Sequence, residues 1–189
     1  MPRPTPKDHE IKLDPGRYIV SKTDPNGIIT FGNVYFCAIC GYSMEELLGQ
    51  PHNIIRHPDM PKIAFKLMWD TIRQGRDFVA VVKNMAKDGS YYWVMTEFNP
   101  RKDPTTGEIV EYTAYRKAPP RNAIDIVEPL YKRLKEVEDS GGGMEASHKL
   151  LVEYLKNQGE TYDSWIIKVT GKSNPITALF FKAMRKLFG

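Results

Sequence analysis

The sequence predicts an α+β domain, a five-stranded antiparallel sheet with helices on one side, followed by a C-terminal helical region. Three features predict it. Two short β-type segments come first, separated by the turn Asp24-Pro25-Asn26-Gly27. A run of helical segments follows, stopped by glycines. Three longer β-type segments then alternate with the turns Lys87-Asp88-Gly89 and Asp103–Gly107.

Each element has a local cause. Residues 18–23, YIVSKT, alternate in character, and 28–31 complete a hairpin across the Asp-Pro-Asn-Gly turn. Residues 33–40 read as a short helix ended by Gly41. Ser43 and Glu46 have capping-box spacing, and Gly49 stops that turn. The stretch 50–61 contains three prolines and is irregular. In 62–74 the apolar residues fall at 63, 64, 67, 68 and 72, the spacing of a helix that Gly75 ends. Residues 78–85, 91–99 and 109–116 are the last three strands.

These elements divide the chain into a flexible lead-in at 1–13, the sheet domain at 14–118 and a helical region at 119–189. The Pro119-Pro120 pair closes the sheet domain. Ile124, Val127, Leu130, Leu134 and Val137 recur every three or four residues, which gives an amphipathic helix over 122–138, broken at Ser140–Gly143. This helix is a candidate lever or dimer helix. Residues 144–157 form a second helix, and Thr161 or Asp163 caps a third through Ile167. Asn174-Pro175 starts the last. In it Ile176, Leu179, Phe180, Met184 and Leu187 share a stripe beside Lys182, Arg185 and Lys186. Such a helix docks on an anionic membrane surface, on a partner or on its own domain.

Composition excludes several classes. Residues 165–189 carry five basic groups and no acid, which leaves 22 basic and 23 acidic groups on the other 164 residues. The net charge of +4 therefore belongs to the tail, and a nucleic-acid-binding core is not expected. No signal peptide and no apolar stretch of about 20 residues is visible, so a cytoplasmic protein is expected. Cys37 and Cys40 form a CxxC without a second pair or a histidine cluster, and read as small buried helix residues rather than a metal site or a redox dithiol. No dinucleotide glycine motif, P-loop or nucleophile–base pair occurs, so an enzyme is not expected.

The informative segment is 49–61, GQPHNIIRHPDMP. It places His52, Asn53, Arg56, His57 and Asp59 in a proline-stiffened loop beside a helix carrying Phe65 and Trp69. Polar groups on a rigid irregular backbone beside aromatics suit a planar ligand with a charged tail, with arginine as a fork for phosphate and tryptophan as a stacking face. A solvated loop over a buried tryptophan has the same composition, so these residues alone leave both readings open.

This segment, with AFKLMWDTIRQG, VVKNMAKDGSYYWV and a strand ending near YTAYR, closely resembles the FAD-binding PAS domain of bacterial aerotaxis receptors over residues 18–117. The resemblance implies a PAS fold, non-covalent FAD and a redox or energy signal passed to a methyl-accepting chemotaxis-type transducer. It implies cofactor-binding roles for Arg56, His57, Asp59, Phe65, Trp69 and Asn84, and pocket positions for Asn33 and His52. His57 and Asp59 could equally lock the loop without touching ligand. Blue-light flavin domains of similar type carry an adduct-forming cysteine where this chain has His52, so covalent photochemistry is not expected. The alternatives are a ligand-free interaction module and a haem-binding oxygen sensor. The haem reading needs an axial histidine facing the pocket from a helix or strand, and helix 62–74 has none. The family's usual receptors continue into membrane-spanning regions. This chain resembles instead a stand-alone sensor that works by contact with its partner.

Overall fold

A computed structural model describes residues 3–171 and 175–188, with side chains except at 175–178 and 180. The five strands are β1 (Ile19–Thr23), β2 (Ile29–Gly32), β3 (Phe78–Met85), β4 (Tyr91–Lys102) and β5 (Ile109–Lys117). They form one antiparallel sheet in the order β2-β1-β5-β4-β3. Between the hairpin and the last three strands lie α1 (Val34–Cys40), α2 (Met44–Leu47), a 3-10 turn (His52–Ile55) and α3 (Lys62–Ile72). The helical region holds α4 (Arg121–Val137), α5 (Gly143–Asn157), α6 (Tyr162–Thr170) and α7 (Pro175–Phe188).

The local signals act as the residue types dictate. The Asp24 carboxylate accepts from the amides of Asn26 and Ile28 and closes the first turn. Gly27 sits there at φ 82°, and a Cβ would lie 3.1 Å from the Trp69 ring, so glycine is needed both for the turn and for the indole beneath it. Ser43 and Glu46 form the capping box, with bonds of 3.2 and 2.9 Å. The Gly-rich break after α4 is a single π-type turn, Glu138–Gly142, with Gly141 at φ 96°.

Period-two alternation gives the sheet two different faces. Val82, Asn84, Thr96, Phe98, Ala114 and Arg116 face the cavity that α3 and the loop before it close. Val20, Met95 and Tyr115 face the other way and are covered by Phe181, Met184 and Phe188 of α7. Helices therefore lie on both faces, not on one only. β3 is buried along its whole length. It is an edge strand, and edges left open invite pairing with other chains. Here the hydroxyls of Tyr131 on α4 and Tyr162 on α6 donate to its carbonyls, Val81 O at 2.9 Å and Val79 O at 3.1 Å.

Two expectations need correcting. Residues 3–13 do not hang free. The Lys7 and Ile11 amides donate to Gly89 O and Tyr91 O at 2.8 and 2.7 Å, and Ile11 and Leu13 pack on the core. The start of β4 offers backbone groups there, and the segment satisfies them. The final helix keeps only part of the expected stripe inward, with Met184 buried. Leu179 and Leu187 are exposed, 67 and 69 %, while Phe181 is fully buried. Arg185 pairs with Asp77 at 3.7 Å and with the buried Glu97. The sheet's outer face, not an ideal apolar stripe, selects the rotation. Ile176 and Phe180 lie outside the described side chains.

Candidate functional site

Between α3, the loop and the inner face of the sheet lies a cavity of about 350 Å³. The loop gets its shape from its ends. The Ile29 amide donates to Gln50 O, the His52 amide to Gly27 O, and Arg56 forms an isolated bridge to Asn84 of β3. His52, Arg56, Phe65, Trp69 and Asn84 all line the cavity, as do Asn26, Asn53, Met68 and Arg73. The Arg56 guanidinium lies 3.8 Å over the Phe65 ring. Trp69 meets Tyr112 edge-on at 5.6 Å, with the Arg73 guanidinium 5.0 Å from the indole.

Three expected site residues stand outside this cavity. Asn33 caps α1 and ties it to β1. Its Oδ1 accepts from Phe36 N at 3.0 Å and Val20 N at 3.1 Å, and its Nδ2 donates to Tyr18 O. His57 is buried with Nδ1 accepting from the Asp59 amide at 3.2 Å. Asp59 takes the Lys83 ammonium at 2.8 Å, and Lys83 also reaches Glu128 of α4 at 3.6 Å. Burial by itself raises the Asp59 carboxyl, but Lys83 and His57 outweigh it and hold it low. Burial pushes His57 down to about 4. Asp59 ties the loop to β3 through Lys83, which also reaches Glu128 of α4, and one ring nitrogen of His57 is engaged within the loop.

A second cavity of about 510 Å³ adjoins the first, sharing Pro51, Asn53 and Arg56. His57 lines it, together with Arg3, Lys62 and Lys135, and no acidic residue among the described residues does. Arg3 also donates to Arg56 O.

The strands supply groups that the loop motif does not announce. Arg116 on β5 is buried, donating to Ser21 Oγ at 2.8 Å and meeting His52 Nε2 at 3.0 Å. Burial, then the Arg116 charge, pushes His52 down to about 3, so it is neutral. Its ring stacks on Phe36 at 5.9 Å. Thr96 Oγ1 is buried without a hydrogen-bond partner among the described residues. Strand alternation marks the face that carries Thr96, Ala114 and Arg116 without saying what it faces, and the YTAYR segment of the resemblance assigned no role to Ala114 or Arg116. Neither cysteine lines the cavity, and the described residues contain no cluster of metal-ligating side chains.

Residues 29–115 match the family described as the PAS fold. This chain carries a PAS domain. The chain is similar to the aerotaxis receptor of Escherichia coli, 41 % identical over 134 residues that make up 71 % of this chain and 25 % of the receptor. It is also similar to the nitrogen fixation regulatory protein of Klebsiella pneumoniae, 32 % identical over 98 residues, 52 % of this chain and 20 % of that protein. The PAS-containing chain thus spans a quarter or less of these relatives. Among solved structures, the light state of the blue-light photoreceptor Aureochrome1 LOV superposes with a TM-score of 0.53 at 22 % identity, covering 57 % of this chain and 86 % of that one. That likeness is one of fold. No helix among the described residues is long and apolar enough to cross a membrane.

Proposed function

We propose that this chain is a redox or energy sensor that binds FAD non-covalently in its PAS cavity and signals by contact to a chemotaxis-type transducer in the cytoplasm. The observation that carries this reading is the cavity itself. Trp69, Phe65 and Met68 wall it on one side, and the sheet wall presents the Thr96 hydroxyl with no partner among the described residues. A buried polar group without a partner is costly, and a ligand that bonds it removes the cost. The volume lies within the ordinary range for small-ligand pockets, about 300–1,000 Å³. His52, Arg56, Phe65, Trp69 and Asn84 would contact the ring system, while Asn33, His57 and Asp59 hold the frame around it. The neighbouring cavity with Arg3, Arg56, Lys62 and Lys135 suits a diphosphate and a second nucleotide, which favours FAD over a mononucleotide. Bound flavin would supply reversible electron uptake, and the similarity to the aerotaxis receptor supports the signalling role.

α4 begins four residues after β5 ends, so strain in the sheet has a short path to a helix a transducer could read. The test is the absorption spectrum of the purified chain. Flavin bands bleached by dithionite and restored in air are expected, with FAD as the species released by heat. Trp69→Ala should weaken flavin binding about tenfold, equivalent to about 1.4 kcal/mol of ring contact. A colourless protein that cannot be loaded with flavin defeats the reading.

A further inference from the structure

Arg116 is poorly explained by its protein neighbours. Its residue is 2 % exposed on the inner face of β5. Removing a cation from water costs several kcal/mol, so buried arginines are normally matched by a carboxylate. Here the partners are Ser21 Oγ and His52 Nε2, with the Phe98 ring 6.0 Å away. No aspartate or glutamate among the described residues pairs with it. His52 accepts a guanidinium proton only as the neutral ring, which assigns its own proton to Nδ1. It orients the charge without cancelling it.

The surroundings keep this place positive. The other titratable groups that interact with Arg116 are Tyr92 on β4 and Cys40 on α1. Burial pushes the Cys40 thiol up to about 11 and raises the Tyr92 phenol, so both are neutral. Arg56 from the loop and Arg73 from α3 add further cations to the cavity wall. Burial lowers Arg116 itself only to about 10, so it is charged at neutral pH. An uncompensated cation in a low-dielectric wall favours negative charge beside it.

We propose that Arg116 is the counter-charge for a ligand that turns anionic in the cavity, so that bound flavin takes up two electrons with one proton instead of two. This rests on the flavin reading given above. In balanced form, the oxidised ring gains two electrons and one proton. The proton bonds to N5, and the remaining negative charge stays on the pyrimidine edge of the ring, compensated by the guanidinium. The electrons come from dithionite in the test, which is oxidised to sulfite, and from a quinol- or nicotinamide-class donor in the cell.

The experiment is redox potentiometry on the full chain loaded with FAD, between about pH 5.5 and pH 8. A tenfold change is about 30 mV for a two-electron couple. One proton per two electrons therefore gives a slope of about 30 mV per pH unit, and two protons about twice that. The wild type should hold the lower slope throughout. Arg116→Gln should show the doubled slope at the acid end, and Arg116→Lys, which keeps the charge, should not. A doubled slope in the wild type, or an unchanged slope in Arg116→Gln, overturns the proposal. If Arg116→Gln loses its flavin, the wild type decides. Its reduced spectrum should stay constant on acidification, and conversion to the neutral reduced form refutes the idea. A chain that cannot be loaded overturns the cavity reading and this inference together, whereas a loaded chain with a two-proton slope overturns this inference alone.

Discussion

His52 and His57 belong to one loop, and burial is the main cause that holds both neutral. The Arg116 cation adds to it at His52, while at His57 the Asp59 carboxylate works against it and Lys83 with it. Their folded values of about 3 and about 4 lie below the ordinary 6.5. Below pH 6.5 the unfolded chain therefore binds protons that the folded chain refuses. Stability is full above that pH and is lost as pH falls toward the folded values, by up to about 1.4 kcal/mol per pH unit for each histidine. Urea midpoints at pH 7 and pH 5 should differ clearly in the wild type, and less in His57→Gln. An equal acid sensitivity in both proteins would assign the loss to the carboxylates instead. The five cavity residues legible from the sequence, His52, Arg56, Phe65, Trp69 and Asn84, sit in or beside a dense motif. Arg116, Ser21 and Thr96 were not legible, because their shared site exists only once β1, β4 and β5 pair in register.

At the scale of elements, α3 shows how a helix can lack a local start signal and still begin sharply. Pro61 precedes it and supplies no side-chain cap. The carboxylate of Glu138, at the end of α4, accepts from the Lys62 and Ile63 amides at 2.7 and 2.9 Å, and from Ser147 Oγ at 3.0 Å. An anion is thus delivered to the positive end of the helix from 76 residues away. The helix so anchored carries Phe65 and Trp69. Glu138→Ala should cost about 2–4 kcal/mol in urea unfolding, since several charged hydrogen bonds and two amides are left unmet. A change below about 0.5 kcal/mol would mean that water replaces the carboxylate. The helix over 62–74 was plain from its period, but its cap was not, because a tertiary cap has no spacing rule to read.

Across the whole molecule, the helical region and the sheet domain share one core. Val81, Leu130, Tyr131, Leu134, Leu155 and Trp165 belong to the same buried cluster. The division at residue 118 marks a change of composition rather than a gap in packing. A chain ending at 118 would expose the β3 edge and strip α7 from Val20, Met95 and Tyr115. That fragment should elute from size exclusion as aggregates or melt far below the full chain. A monodisperse fragment with the full chain's melting temperature would contradict the shared core. Tyr131→Phe, which removes one edge bond and leaves the ring, should cost about 1 kcal/mol.

The sequence by itself determined the element order and the antiparallel sheet, and it named the loop and helix residues that the fold then brings to the cavity wall. Turn residues, capping pairs and hydrophobic period are local, and so is the composition of the 49–61 loop. Only the tertiary structure decided that the lead-in lies along β4, that helices cover both faces of the sheet, and which side of α7 is buried. It alone placed Asn33, His57 and Asp59 outside the first cavity, Asn33 as a helix cap, His57 on the wall of the adjoining cavity and Asp59 on Lys83. The reason is the same in each case. Which groups a residue meets depends on strand register and on surfaces distant in the chain, and a buried charge such as Arg116 is defined by what fails to come near it.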